Sequence, residues 1–179
     1  MANRRVITFS LDPESITHAI MEVNRYRGDF LQRANEVIQA LTWQGREHAM
    51  FEIVNLGAFS TGKLADSIKG IWNGARRVGL IYTDVYYAVF VEYGTGVVGA
   101  NNPHPMPSPT WQYDVNGHGD DGWYYMADQR DGTEDTGEGE TALKWHWTRG
   151  QPSRPFWYNT YRHLMQVAPD VARRIFDTL

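Results

Sequence analysis

One stretch carries most of the information about the fold: Tyr86-Tyr87-Ala88-Val89-Phe90-Val91-Glu92-Tyr93-Gly94-Thr95-Gly96. Residues 86–93 are apolar and aromatic, which predicts a short helix. Gly94 supplies its end, because glycine adopts at little cost the left-handed conformation with which many helices finish. We expect Tyr87, Phe90 and Val91 to bury one face of this helix.

A long helical region precedes this stretch. Asp12 followed by Pro13 is a strong helix start, because aspartate caps unpaired N–H groups and proline fits the first helical turn. Apolar residues then recur at helical spacing: Ile16, Ile20, Val23, Phe30, Leu31, Ala34, Val37, Ile38 and Leu41. We expect residues 13–56 to be helical, with Gly28 and Gly45 breaking the region into two or three helices.

Shorter elements connect the long helical region to the stretch. Residues 60–68 predict a turn followed by a short helix. Residues 69–73 and 77–83 predict two strands, joined by a hairpin turn at Asn73-Gly74-Ala75. After the stretch, four prolines within residues 101–109 exclude regular structure there.

The C-terminal part of the chain predicts a final helix. Ser153-Arg154-Pro155-Phe156 opens it, and one apolar stripe follows: Phe156, Thr160, Leu164, Val167, Val171 and Ile175. Pro169 is expected to kink or restart this helix. The predicted fold is therefore α+β, in one domain over residues 1–179. A long N-terminal helical region and a C-terminal helix would pack on a small, mainly antiparallel sheet.

We predict that residues 99–150 form an excursion, an extended β-ribbon that projects from this domain. Large rings stand two residues apart in three places, which puts each pair on one face of a strand: Trp111 with Tyr113, Trp123 with Tyr125, and Trp145 with Trp147. Interface centres are enriched in such rings. The candidate interface residues are Trp111, Trp123, Tyr125, Trp145 and Trp147.

The excursion also holds a concentration of acidic residues. Residues 114–140 contain nine acidic residues and one basic residue, Arg130, and so carry −8, while the rest of the chain carries +4, since the whole carries −4. An acidic segment on a mildly basic body can repel nucleic acid or pair with a basic partner, or can be a solvated loop. The sequence alone leaves these alternatives open.

Composition excludes several classes of protein. The 179 residues include no cysteine, which excludes disulfides, thiolate metal sites and a cysteine nucleophile. No window approaches the roughly 18 apolar residues that span a bilayer, and residues 1–10 lack the apolar run of a signal peptide. An aqueous, cytoplasmic setting for synthesis is therefore expected.

Motifs for catalysis and metal binding are incomplete. Asp114-Val115-Asn116-Gly117-His118 begins like a calcium loop, but His118 stands at a ligand position and Tyr125 replaces the bidentate glutamate. Thr61-Gly62-Lys63 lacks the earlier glycine of a phosphate-binding loop, and there is no Gly-x-Ser-x-Gly elbow. We therefore predict no catalytic residue, no metal ligand and no cofactor. A carbohydrate- or metal-binding module, or a hydrolase, built on the aromatic ribbon remains the alternative of a different class.

Three blocks, in this order, carry a resemblance to a known family: Gly62-Lys63-Leu64-Ala65-Asp66-Ser67-Ile68, then Tyr86 to Gly96, then Ser153-Arg154-Pro155-Phe156. Over residues 50–179 the chain resembles the tail-completion (head–tail joining, or neck) family of long-tailed bacteriophages. The residues that match the family pattern are Tyr87, Ala88, Glu92, Gly94, Thr95, Arg154, Pro155 and Phe156. In this setting Glu92 would cap a helix or pair with Arg154, and Phe156 would anchor the last helix against the sheet.

The resemblance implies a structural virion protein without catalysis. Family members form rings, commonly hexamers, in the virion neck between head and tail, and are assembled in the host cytoplasm. The implied partners are further copies of the chain, the head-connector or head-closure protein, and the tail tube or tail-terminator protein. Genomic DNA would pass through the lumen without sequence recognition, and no membrane is involved. A minor capsid or tail-terminator subunit is the near alternative.

Overall fold

A computed structural model describes residues 6–58, 62–127 and 144–177, and its fold class is α+β, as predicted, with 55% helix. The helices are α1 (Pro13–Asn55), α2 (Lys63–Asp66), α3 (Ala88–Tyr93), α4 (Gly96–Asn101) and α5 (Phe156–Phe176), with a 3-10 turn at Gly119–Asp121. The strands are β1 (Lys69–Asn73), β2 (Val78–Tyr82), β3 (Trp123–Ala127), β4 (Lys144–Thr148) and β5 (Gly150–Gln151). Within the described residues, no helix is long and apolar enough to cross a membrane.

Helix α1 is a single helix, so the expected breaks at Gly28 and Gly45 are wrong. A glycine inside a helix costs only about 0.5–1 kcal/mol relative to alanine, which the surrounding helix formers outweigh. The helix begins where predicted, because the Asp12 carboxylate accepts the Ser15 N–H at 2.8 Å. It ends at Asn55, and Gly57, whose φ is +65°, turns the chain two residues later.

Helix α5 runs through Pro169 as one helix, so of the two expected effects of this proline, a kink or a restart, the restart is wrong. Proline at this position deprives the carbonyl of Met165, four residues earlier, of its helical hydrogen bond. Met165 is 61% exposed, so water can solvate that carbonyl. The predicted apolar stripe is confirmed, since Phe156, Thr160 and Val171 are buried and its other members are half-buried.

Among the described residues, strands β1 to β4 form two separate two-stranded antiparallel sheets, β1–β2 and β3–β4, while β5 makes only isolated bridges to Thr95 and Gly96. The hairpin predicted around Asn73 is confirmed, and the Asn73 side chain accepts the Arg76 N–H at 3.0 Å within the turn. The first aromatic pair of the excursion, Trp111 with Tyr113, does not lie in a strand, so that part of the expected ribbon is wrong. Helix α4 was not predicted, because its short sequence is mostly glycine and valine, which are poor helix formers.

Contacts along the chain divide it into two compact units. Unit 1 comprises residues 1–44, 70–80 and 164–179, and unit 2 comprises residues 45–69 and 81–163. In unit 1, Val171 is 2% exposed, and the rings of Phe30 and Phe176 lie 5.3 Å apart.

The core of unit 2 joins the three motif blocks. It consists of Ala49, Ile53, Leu64, Ala65, Ile68, Ala88, Val91 and Phe156. Each fully buried large side chain contributes about 1.5–3 kcal/mol. Phe156 is wholly buried in this cluster. Helices supply most of its buried neighbours, and the hairpin adds only the partly buried Ile81, so the expectation that Phe156 packs mainly on a sheet needs correction.

Candidate functional site

The carboxylate of Glu92 forms the joint between α3 and α5. Its Oε2 accepts the N–H of Trp157 at 2.9 Å, and its Oε1 accepts the N–H of Tyr158 at 3.0 Å. These are first-turn N–H groups of α5, which have no partner within the helix. The prediction that Glu92 caps a helix is therefore confirmed, with the carboxylate reaching the cap from a different helix, 65 residues away in sequence.

Backbone and side-chain hydrogen bonds reinforce this joint. The Arg154 N–H donates to the Val91 carbonyl at 2.9 Å, and the Ser153 hydroxyl donates to the Glu92 carbonyl at 2.5 Å. The guanidinium of Arg154 donates instead to the Gln151 side chain at 3.1 Å, so the alternative expectation of a Glu92–Arg154 pair is not what the structure shows. The second and third motif blocks are thus bound directly to each other.

Gly94 and Gly96 let the two blocks approach closely. Gly94 has φ +79° and ψ 168°, a conformation open essentially to glycine alone rather than the expected left-handed helical turn. A Cβ at Gly94 would lie 2.7 Å from the backbone nitrogen of Ser153. Thr95, between the two glycines, pairs with Gln151 in an isolated β-bridge. The buried residues of α3 are Ala88, Val91 and Glu92. Of the three side chains expected on the buried face, Val91 is buried and Tyr87 packs partly buried against the core, but Phe90 is 38% exposed, so that part of the expectation is wrong.

His104 completes the joint and was not identified from the sequence. Its Nε2 lies 2.9 Å from Oε1 of Glu92, and both side chains are at least 94% buried. Its Nδ1 lies 3.0 Å from the Met106 nitrogen and 2.7 Å from the Met106 oxygen. A neutral ring can accept that N–H, and a protonated ring can donate to that oxygen, so His104 has partners in either state. The only available signal was a histidine between two prolines, which did not point to Glu92.

The joint offers a substrate no access, because Glu92 and His104 are both buried. Catalysis by an acid–base pair requires hydrogen-bond reach to a reacting group. Here the carboxylate oxygens are already occupied by two backbone N–H groups and the imidazole. The arrangement stabilises the relative position of α3, α5 and the proline-rich segment.

The register of the β3–β4 ribbon separates the predicted aromatic residues. Tyr124 lies opposite Trp147 and Met126 opposite Trp145, whereas Trp123 and Tyr125 lie opposite Thr148 and His146. Residues directly opposite in an antiparallel pair share a face. Trp145 and Trp147 are therefore on one face, and Trp123 and Tyr125 are on the other, so these four do not form one patch.

The first of these faces is the more exposed. We call Tyr124, Met126, Trp145 and Trp147 the aromatic face; they are 66%, 50%, 67% and 52% exposed. Tyr124 and Met126 were missed in the sequence, because the face of each strand depends on the register, which alternation alone does not determine.

Trp111 and Trp123 pack back on unit 2 instead of standing free. Trp111 stacks on Tyr93 at 5.1 Å and lies 5.8 Å from the ring of Phe90. Trp123 stacks on His118 at 4.7 Å. Tyr125 is 41% exposed on the second face. Of the five candidate interface residues, the structure thus leaves Trp145 and Trp147 the most exposed.

The start of the acidic segment is organised by Asp114. Its carboxylate accepts the N–H of His118 at 2.9 Å and the N–H of Gly119 at 2.8 Å. These two N–H groups hold the pKa of Asp114 below its usual value. Among the described residues no three metal-ligating side chains converge. Residues 128–143, with six of the nine acidic residues of this segment, lie outside the described residues.

Helices α1 and α5 also meet through polar side chains in unit 2. The imidazoles of His48 and His163 stack at 3.9 Å, and Asn159 donates to the Glu52 carboxylate at 2.6 Å. Burial and the neighbouring His163 hold the pKa of His48 below its usual value.

Comparisons with protein-family models, with curated proteins and with solved structures found no match for this chain.

Proposed function

We propose that this protein is a non-enzymatic tail-completion subunit of a phage neck, which forms a ring between the head connector and the tail. The proposal rests on the sequence resemblance. Its partners would be further copies of the chain, the head-closure or connector protein, and the tail tube or tail-terminator protein. DNA would pass through the ring, and the protein would reside in the virion.

The geometry of the motif residues supports this proposal. The resemblance lies in three blocks that are far apart in sequence, and in unit 2 they meet in one core and one hydrogen-bonded joint. Residues that match a family pattern because they build the fold are expected to contact one another in the folded chain. Function would then reside on assembly surfaces.

The aromatic face is the observation that carries the assembly role. Its four side chains are all at least half exposed on two paired strands. Large aromatic side chains bury roughly 150–250 Å² each in an interface, and soluble monomers rarely expose contiguous apolar patches of this kind. We assign this face to the contact with a neighbouring subunit or neck partner.

A matched pair of tyrosine substitutions tests the assignment. Tyr124 on the aromatic face and Tyr161 on α5 are 66% and 59% exposed. Tyr124→Thr combined with Trp145→Thr should reduce the assembly seen by native mass spectrometry and electron microscopy. Tyr161→Thr should leave it intact. Wild-type protein that forms no ring would count against the neck function, and rings unchanged by the double substitution would count against this face.

A carbohydrate-binding module is the second candidate, because Trp145 and Trp147 present exposed indole rings on one face. Such rings stack on sugars as readily as on protein. Thermal shift with a panel of oligosaccharides separates the two functions. A ligand that raises the melting temperature of the wild type but not of Trp147→Thr would favour sugar binding over assembly.

A further inference from the structure

The first half of α1 carries an apolar stripe that remains largely exposed to solvent among the described residues. We call Ile16, Ile20, Val23 and Phe30 the N-terminal stripe; they are 37%, 56%, 53% and 47% exposed. At 3.6 residues per turn they lie on one side of the helix. Except for Arg27, which lies within the stripe, the charged residues of this segment are on the opposite side of the helix. There the side chains of Arg25 and Glu22 are 3.7 Å apart.

The stripe continues a helix–helix contact that exists within the chain. In unit 2, α1 and α5 run antiparallel, since Glu52 contacts Asn159 and His48 contacts His163. In unit 1 the same two helices meet at Phe30 and Phe176. As described, α5 ends there, and residues 13–29 of α1 extend about 25 Å further at 1.5 Å per residue.

This extension has little to stabilise it in a single copy. Most helical stability in proteins comes from packing an amphipathic face against a partner and not from helix propensity alone. Nearly every residue from Pro13 to Gly28 is exposed. The stripe residues are four, three and seven positions apart, and Arg27 stands between the last two, so the set has the spacing of three and four residues at which antiparallel helices pack.

We propose that residues 13–30 of α1 bind the same segment of a second copy, in antiparallel orientation. Centring the pair between Ile20 and Val23 places Ile20 of each copy against Val23 of the other. Ile16 then packs on the aliphatic stem of the other copy's Arg27. No carboxylate lies in this seam, because the acidic residues occupy the far side.

In this register a second copy covers the whole of residues 13–30. In the same register, Pro13 of the second copy lies beside Phe30, where α5 ends at Phe176. The second copy would therefore contact the stripe from the point at which α5 of the first copy ends. A two-fold contact of this kind covers both stripes at once and closes on itself. This inference does not rest on the neck function.

Adjacent substitutions provide a matched test. Ile20 and Met21 are 56% and 58% exposed, but Met21 points about 100° away from Ile20, outside the stripe. Ile20→Asp should halve the mass measured by sedimentation velocity and speed hydrogen exchange over residues 13–28. Met21→Asp should change neither. An unchanged mass for Ile20→Asp, or an equal loss for Met21→Asp, overturns the proposal.

Cross-linking tests the orientation independently, because the chain has no cysteine. Oxidising a mixture of Ile20→Cys and Val23→Cys proteins should yield mainly the mixed disulfide, since the register sets these two positions against each other. Absence of a cross-link, or a disulfide mainly between two copies of Ile20→Cys, overturns the antiparallel pair. The double substitution on the aromatic face should leave the α1 pair intact. Loss of the ring with retention of the pair would therefore separate this contact from the proposed neck assembly.

Discussion

Removing the carboxylate of Glu92 should destabilise unit 2 more than any change at an exposed glutamate. Glu92→Ala leaves the N–H groups of Trp157 and Tyr158 and the imidazole of His104 without their acceptor. A buried donor left unpaired costs about 1–3 kcal/mol, and this substitution leaves three donors without their acceptor. We expect Glu92→Ala to lose about 3–5 kcal/mol of unfolding free energy.

Glu92→Gln should lower the unfolding free energy less, by about 1–3 kcal/mol. Glutamine keeps one acceptor oxygen, and only its NH2 group, itself a donor, faces a backbone N–H that loses its acceptor. Urea unfolding at fixed protein concentration measures both losses as midpoint shifts with an unchanged slope. Glu47→Ala, on an exposed position of α1, is the control and should change stability by under about 0.5 kcal/mol. A loss below about 1 kcal/mol for Glu92→Ala would refute the assignment of Glu92 as the joint.

Three further predictions concern backbone strain, pH and calcium. Gly94→Val should lower the unfolding free energy measured in urea by about 2 kcal/mol or more, because φ is +79° and a Cβ would meet the Ser153 backbone. Gly28→Ala is the control: this glycine has open space around it, and the substitution should stabilise α1 by about 0.5–1 kcal/mol. Equal effects would contradict this. Because the pKa of His48 is lowered in the folded state from 6.5, the unfolded state takes up the proton first, and unfolding free energy should fall as pH drops through that value. His163→Gln should weaken this fall, and an unchanged pH dependence would argue against the stacked pair as its cause. Calcium or a chelator should leave the melting temperature unchanged, because N–H groups already occupy the Asp114 carboxylate; a rise of several degrees with calcium would reveal a site.

The order and type of most elements followed from local features of the sequence. The cap at Asp12, the stop after α3 and the hairpin at Asn73 depend on short-range chemistry, and the structure confirms each of them. The α+β class followed from that order. The helix breaks expected at Gly28 and Gly45 were wrong, because a local glycine penalty of about 1 kcal/mol is small against a long run of helix formers.

Contacts between distant residues were decided only by the tertiary structure. The sequence marked Glu92 as a capping or pairing residue, but its choice of the α5 N-terminus and His104 over Arg154 depends on how three segments pack. The strand register likewise placed Trp147 with Tyr124 and moved Trp123 to the other face, since a shift of one residue exchanges the faces. Periodicity revealed the stripe from Ile16 to Phe30 but not that α5 ends before covering it. Local propensity and periodicity can therefore be predicted from the sequence. Which strands, side chains and helix ends contact each other depends on long-range packing, which residues near in sequence do not determine.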